Sequence, residues 1–93
     1  MNAQRSVSHA RDTVWRRYDE QVAVISLEEN RVRLFNAVGS FVWERCDGKT
    51  LDSLVLMVCE HFAVDEGTAR RDVEAFVADL IARGLLRPAA GAP

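Results

Sequence analysis

Arg31-Val32-Arg33-Leu34-Phe35-Asn36 is the stretch on which the fold turns. Its first four residues alternate charged and apolar, the pattern of a strand wet on one face. The alternation predicts Val32 and Leu34 turned to the core, and Arg31 and Arg33 turned to solvent. Asn36 is a favoured N-cap, and helical spacing begins directly behind it. The stretch therefore marks the change from sheet to helix. Upstream, Val22 to Leu27 is the most apolar early run and reads as a central strand. Thr13 to Tyr18 is rich in β-formers. Polar breaks at Asp19-Glu20-Gln21 and Glu28-Glu29-Asn30 separate these runs, and Asn30 suits the positive-φ position of a tight turn. Three strands joined by short turns predict an antiparallel meander whose third strand is an edge.

Downstream the spacing is helical. Val38, Phe41 and Val42 open a first helix that Asp47-Gly48 closes, with Gly48 able to take the left-handed conformation. Gly39 inside it reads as close packing. Thr50 caps a second helix, with Asp52 favoured in its first turn. Leu51, Leu54, Val55, Val58 and Phe62 form the inward stripe, which Leu56, Met57 and Cys59 widen. Asp65 caps a third helix over 66–83, with Ala69, Val73, Phe76, Val77, Leu80 and Ile81 spaced by three and four. Gly84 stops it, and Leu85-Leu86 folds back. The fold class is α+β: a three-stranded antiparallel sheet followed by three helices, winged-helix-like. The folded unit is expected over 13–86, between a flexible N-terminal arm, 1–12, and a flexible tail, 87–93.

The chain has 93 residues, enough for one domain with a modest core. A net charge of −2 argues against a domain that draws its affinity from phosphates. Two cysteines, Cys46 and Cys59, are too few for a disulfide framework and read as reduced, which suits a cytoplasmic location. No run approaches the roughly 20 apolar residues of a membrane span.

The search for chemistry yields no site. Cys59 and His61 stand two apart on a helix and point to different sides, and no CxxC or HxxxH pair exists. His9 falls in the arm and reads as solvated. There is no nucleophile elbow and no glycine-rich phosphate loop. The reading is therefore not an enzyme, with neither metal nor cofactor. The alternative is a winged-helix DNA-binding regulator, in which the third helix reads DNA through Arg70 and Arg71. Asp65, Glu66, Asp72, Glu74 and Asp79 on that helix oppose it, because phosphates would repel them. A peptide groove remains: the third strand offers free backbone groups, and strand addition needs no unusual side chains.

The ordered set Leu34-Phe35-Asn36, Trp43-Glu44-Arg45-Cys46-Asp47-Gly48, Thr50, Arg71-Asp72-Val73 and Gly84-Leu85-Leu86 resembles the PqqD family. The resemblance covers roughly residues 22–86. It implies a RiPP recognition element, a non-catalytic chaperone that holds the leader of a ribosomal precursor peptide for a modifying enzyme, often a radical SAM enzyme. Pyrroloquinoline quinone synthesis is one such pathway. The resemblance places the leader as an added strand on Arg31, Val32, Arg33, Leu34 and Phe35, against the third helix. Spacing groups Arg70, Val73, Glu74, Val77 and Ile81 on one face of that helix. Val73, Val77 and Ile81 fit groove and core equally well. Asn36 is expected to cap its helix without touching the peptide. Trp15, Trp43 and Met57, if exposed, would serve a partner or a homodimer.

Overall fold

The computed structural model describes residues 5–88. Its elements are β1 (Ser6–His9), β2 (Thr13–Tyr18), β3 (Gln21–Ser26), β4 (Arg31–Leu34), α1 (Ala37–Arg45), β5 (Lys49–Thr50), α2 (Leu51–Phe62), α3 (Glu66–Ala82) and β6 (Leu86–Pro88). The α+β class, the meander β2-β3-β4 and the three helices stand as the sequence predicts.

Local chemistry sets the boundaries. Asn36, Thr50 and Asp65 each accept a hydrogen bond from the backbone N–H three residues on, at 2.8, 3.2 and 2.7 Å. Each satisfies a donor that the first helical turn would otherwise leave orphaned. Asp19 and Asn30 take positive φ in the two hairpin turns, and Gly84 takes φ +75° after α3.

Two features differ from the sequence expectation. The first is a second sheet, in the order β5-β1-β6. Its central strand lies within the expected arm, so residues 6–9 are structured. Arg87 and Pro88 of the expected tail complete β6, while residues 1–4 and 89–93 lie outside the described residues. Val7 is buried against the core. The His9 ring stacks on Trp43 at 4.0 Å, and its Nε2 donates to the Trp43 carbonyl at 2.8 Å. The histidine expected in solvent is thus an anchor.

The second is the facing of β4. Arg33 pairs with Val24 and Arg31 with Ser26, while Val32 pairs with Ile25 and Leu34 with Ala23. Val22, Val24 and Ser26 face the helices and are buried. The register therefore places the arginine row on the helix side, where Arg33 is half-buried and Arg31 stays exposed, and turns Val32 and Leu34 outward, the reverse of the predicted facing for Val32, Arg33 and Leu34. The cause is position. At the sheet's margin an arginine can bury its stem and keep its head at the rim.

The core gathers Val22, Val24, Trp43, Leu54, Val73 and Leu80 with their neighbours. Trp43, which would serve a partner only if exposed, is completely buried and touches His9, Trp15 and Phe35. Gly39 allows α1 its close approach: a Cβ there would stand 2.9 Å from Phe76 Cε1.

Candidate functional site

The third strand of the meander, β4, pairs only with β3 among the described residues. Which of its backbone groups are free follows from one bond. Phe35 N–H donates to the Val22 carbonyl at 2.9 Å. Residues of an antiparallel pair alternate between bonded and non-bonded positions. Arg31 and Arg33 therefore bond to β3, and the N–H and C=O of Val32 and Leu34 point to the open edge. The same two side chains lie on the outer face, 65% and 61% exposed.

Phe35 closes the end of the strand. It is buried, with its ring 5.1 Å from Phe76 of α3 and 5.8 Å from Trp43. Beside it is a depression of about 270 Å³ lined by Asn36, Val38, Gly39, Asp72, Ala75 and Phe76. Asn36 holds the N-terminus of α1, as expected, and also borders this depression.

The expected helical residues lie elsewhere. Val73 and Val77 are core. Arg70 turns to α2, bonding Asp52 at 2.9 Å, with Glu66 at 3.5 Å. The hydrogen bond that the guanidinium donates to Asp52 leads in raising its pKa, with the Asp52 and Glu66 charges adding. Glu74 is exposed. Ile81 is half-buried and lines a separate apolar depression with Val7, Ala78, Ala82 and Pro88. The part of α3 nearest the end of β4 is the adjoining face, with Asp72, Ala75 and Phe76. In the sequence Phe76 stands only as one of the apolar residues spaced by three and four along the third helix, and in the structure it is partly buried against the core. No sequence signal joins Phe76 to Phe35 and Gly39, since the three meet only in the folded chain.

Arg33 is the polar group of note. Its side chain is 20% exposed, and its nearest ionic partner is Glu29 at 4.0 Å. Its Nε is buried and makes no hydrogen bond among the described residues. Other ion pairs are closer than that of Arg33. Arg17 pairs with Glu44, and Arg83 with Asp79 at 2.9 Å. Among the described residues, no three His, Cys, Asp or Glu side chains are placed to hold a metal. Cys46 and Cys59 are free thiols. Burial first, and the Asp47 charge second, push Cys46 up to about 12, so it stays a neutral thiol.

The family profile described as coenzyme PQQ synthesis protein D (PqqD) matches residues 21–86. The chain belongs to the PqqD family. No curated protein matches this PqqD-family chain. Two solved structures share its fold. One is TbiB1 in complex with the TbiA(beta) leader peptide, with a TM-score of 0.81 and 26% identity. It aligns over 92% of this chain and 99% of that one. The other is a lasso peptide synthetase B1 complexed with the leader peptide, with a TM-score of 0.78 and 17% identity over 89% of this chain and 99% of that one. Both alignments extend beyond residues 21–86, so the shared architecture includes more than the family match.

Proposed function

We propose that the chain is a non-catalytic RiPP recognition element. It binds the leader of a ribosomally made precursor peptide as an added strand on β4 and presents the rest to a modifying enzyme. The observation that carries this reading is the one-sided pairing of β4. Val32 and Leu34 offer four backbone groups to a partner strand, each bond worth about 0.5–1.5 kcal/mol net. The leader-bound state of the two structural neighbours supports the same use of this fold.

On the helical side, the depression at Phe76 and Ala75 is the nearest seat for a leader side chain. The face with Arg70, Val73 and Val77 is engaged with α2 and the core, so it is dropped from the site. The partner enzyme is a radical SAM enzyme or another peptide-modifying enzyme, in pyrroloquinoline quinone synthesis or another RiPP pathway. The chain itself needs no cofactor. Two free thiols suit a reducing cytoplasm. No helix of the described residues is long and apolar enough to cross a membrane.

The test is amide-resolved titration with synthetic leaders, beginning with the TbiA(beta) leader, together with displayed random peptides. Binding should shift Val32 to Phe35 and the 72–76 segment of α3. The reading fails if neither source yields a peptide that protects the Val32 and Leu34 amides.

A further inference from the structure

The facing of β4 says what kind of segment its edge accepts, an inference that rests on the strand-addition reading above. A strand laid along Val32 and Leu34 carries its side chains in two alternating rows. One row emerges on the outer face beside these two residues. The pairings already make two rows there, Val14–Ile25–Val32 and Arg16–Ala23–Leu34. Val14 is 51% exposed, so the row it shares with Val32 is largely uncovered apolar surface. Apolar side chains on the incoming strand would extend both rows, since cross-strand neighbours on one face make the favourable contacts of a sheet.

The other row enters beside Arg33. Its Glu29 contact, at 4.0 Å, is too long for a hydrogen bond. Its buried Nε has no acceptor among the described residues. In an antiparallel addition, the residue opposite Arg33 occupies a non-hydrogen-bonded pair, where side chains come closest. A carboxylate there could accept from the guanidinium in the planar geometry that arginine favours. Arg31, on the same inward row, adds positive charge. A second copy of this chain is a poor occupant, because two β4 edges paired about Arg33 would set like charges opposite each other.

We propose that β4 selects a segment with an aspartate or glutamate opposite Arg33, flanked by apolar residues opposite Val32 and Leu34. The recognised pattern is apolar–acidic–apolar over three consecutive residues.

The experiment selects a displayed library of random twelve-residue peptides on the full chain. Parallel selections use Arg33→Glu, Arg33→Gln and the double variant Val32→Thr with Leu34→Thr, which keeps strand-forming residues on an exposed face. The native chain should enrich the proposed pattern. Replacing the acid of a selected peptide by its amide should weaken binding by at least about tenfold, the scale of a lost charge-assisted hydrogen bond. Arg33→Glu should enrich lysine or arginine at that place, and Arg33→Gln should lose the acidic preference. The double variant should lose the flanking apolar preference.

Peptides that protect the Val32 and Leu34 amides without any acidic preference would sink this inference and leave strand addition standing. If no peptide protects those amides, both readings fall. If the double variant alters the oligomeric state and leaves peptide selection unchanged, the outer face belongs to a second copy and the inference is overturned.

Discussion

β1 and β4 are both four-residue strands, and they differ in how many of their sides are paired. In β1 every backbone direction is used. The Val7 carbonyl accepts from Gly48 N–H at 2.7 Å, and His9 N–H donates to Asp47 Oδ1 at 3.0 Å. On the other side β1 pairs with β6, and Ala10 N–H continues that side to the Leu85 carbonyl at 3.0 Å. In β4 only one direction is used among the described residues. The strand closed on both sides is scaffold, and the strand closed on one side carries the edge to which the proposed strand addition is assigned. The difference lies in what surrounds each strand, since neither composition announces it.

Four measurements would break or sharpen that contrast. Trp43→Ala has the largest expected effect. The ring is fully buried and touches His9 of one sheet and Trp15 of the other. Its loss should cost about 3–5 kcal/mol in denaturant unfolding and loosen both sheets together. Next come proline substitutions. Ser8→Pro and His9→Pro each remove a bonded N–H of β1, as Arg33→Pro does in β4, and each should cost about 1–3 kcal/mol. Val32→Pro removes only an outward N–H. It should leave unfolding within about 1 kcal/mol of the native chain while abolishing peptide binding in the same titration. Equal destabilisation by Val32→Pro and Arg33→Pro would show that β4 has no free side.

Gly39→Ala tests the joint where β4 meets the helices. The new Cβ would meet Phe76 at 2.9 Å and Phe35 Cβ at 3.3 Å. Overpacking of this kind costs about 1–3 kcal/mol, partly offset by the better helix propensity of alanine. The shift in thermal midpoint should appear with β1 still protected from hydrogen exchange.

The smallest effect is that of Cys46. Its folded pKa is raised from 9.0 to about 12, so the neutral thiol is favoured by folding. That stability is complete below pH about 9, where both states hold the proton. It declines as pH rises from 9 towards 12, because the unfolded thiol ionises first. Cys46→Ala should flatten the decline in a pH series of thermal midpoints. In the folded chain Cys59 should react with a thiol reagent ahead of Cys46.

The legible parts of the fold were those set by neighbours in sequence. Asn36, Thr50 and Asp65 announce their helices because a cap acts within three residues. The meander was legible because β-rich runs alternate with turn residues. The second sheet was not. Ser6 to His9 holds one aliphatic residue, and its stability comes from Lys49–Thr50 and Leu86–Pro88, dozens of residues away. The facing of β4 misled for a related reason: alternation gives the period of a strand, while the partner strand's register decides which row faces in. At the site, the open edge was readable because it is a property of strand order. The helix face was not, because Val73, Val77 and Ile81 carry the same spacing whether they meet a peptide or the core.

Val7 stands opposite Pro88, so the beginning and end of the described chain are neighbours in one sheet. A passenger domain spliced before β1 or after β6 would hang from the same small platform, and the two attachments would differ little in reach. The ends could also be sewn together by a short loop and the chain reopened at an exposed turn, such as Asp19-Glu20, giving a circular permutant with the same set of strand pairings.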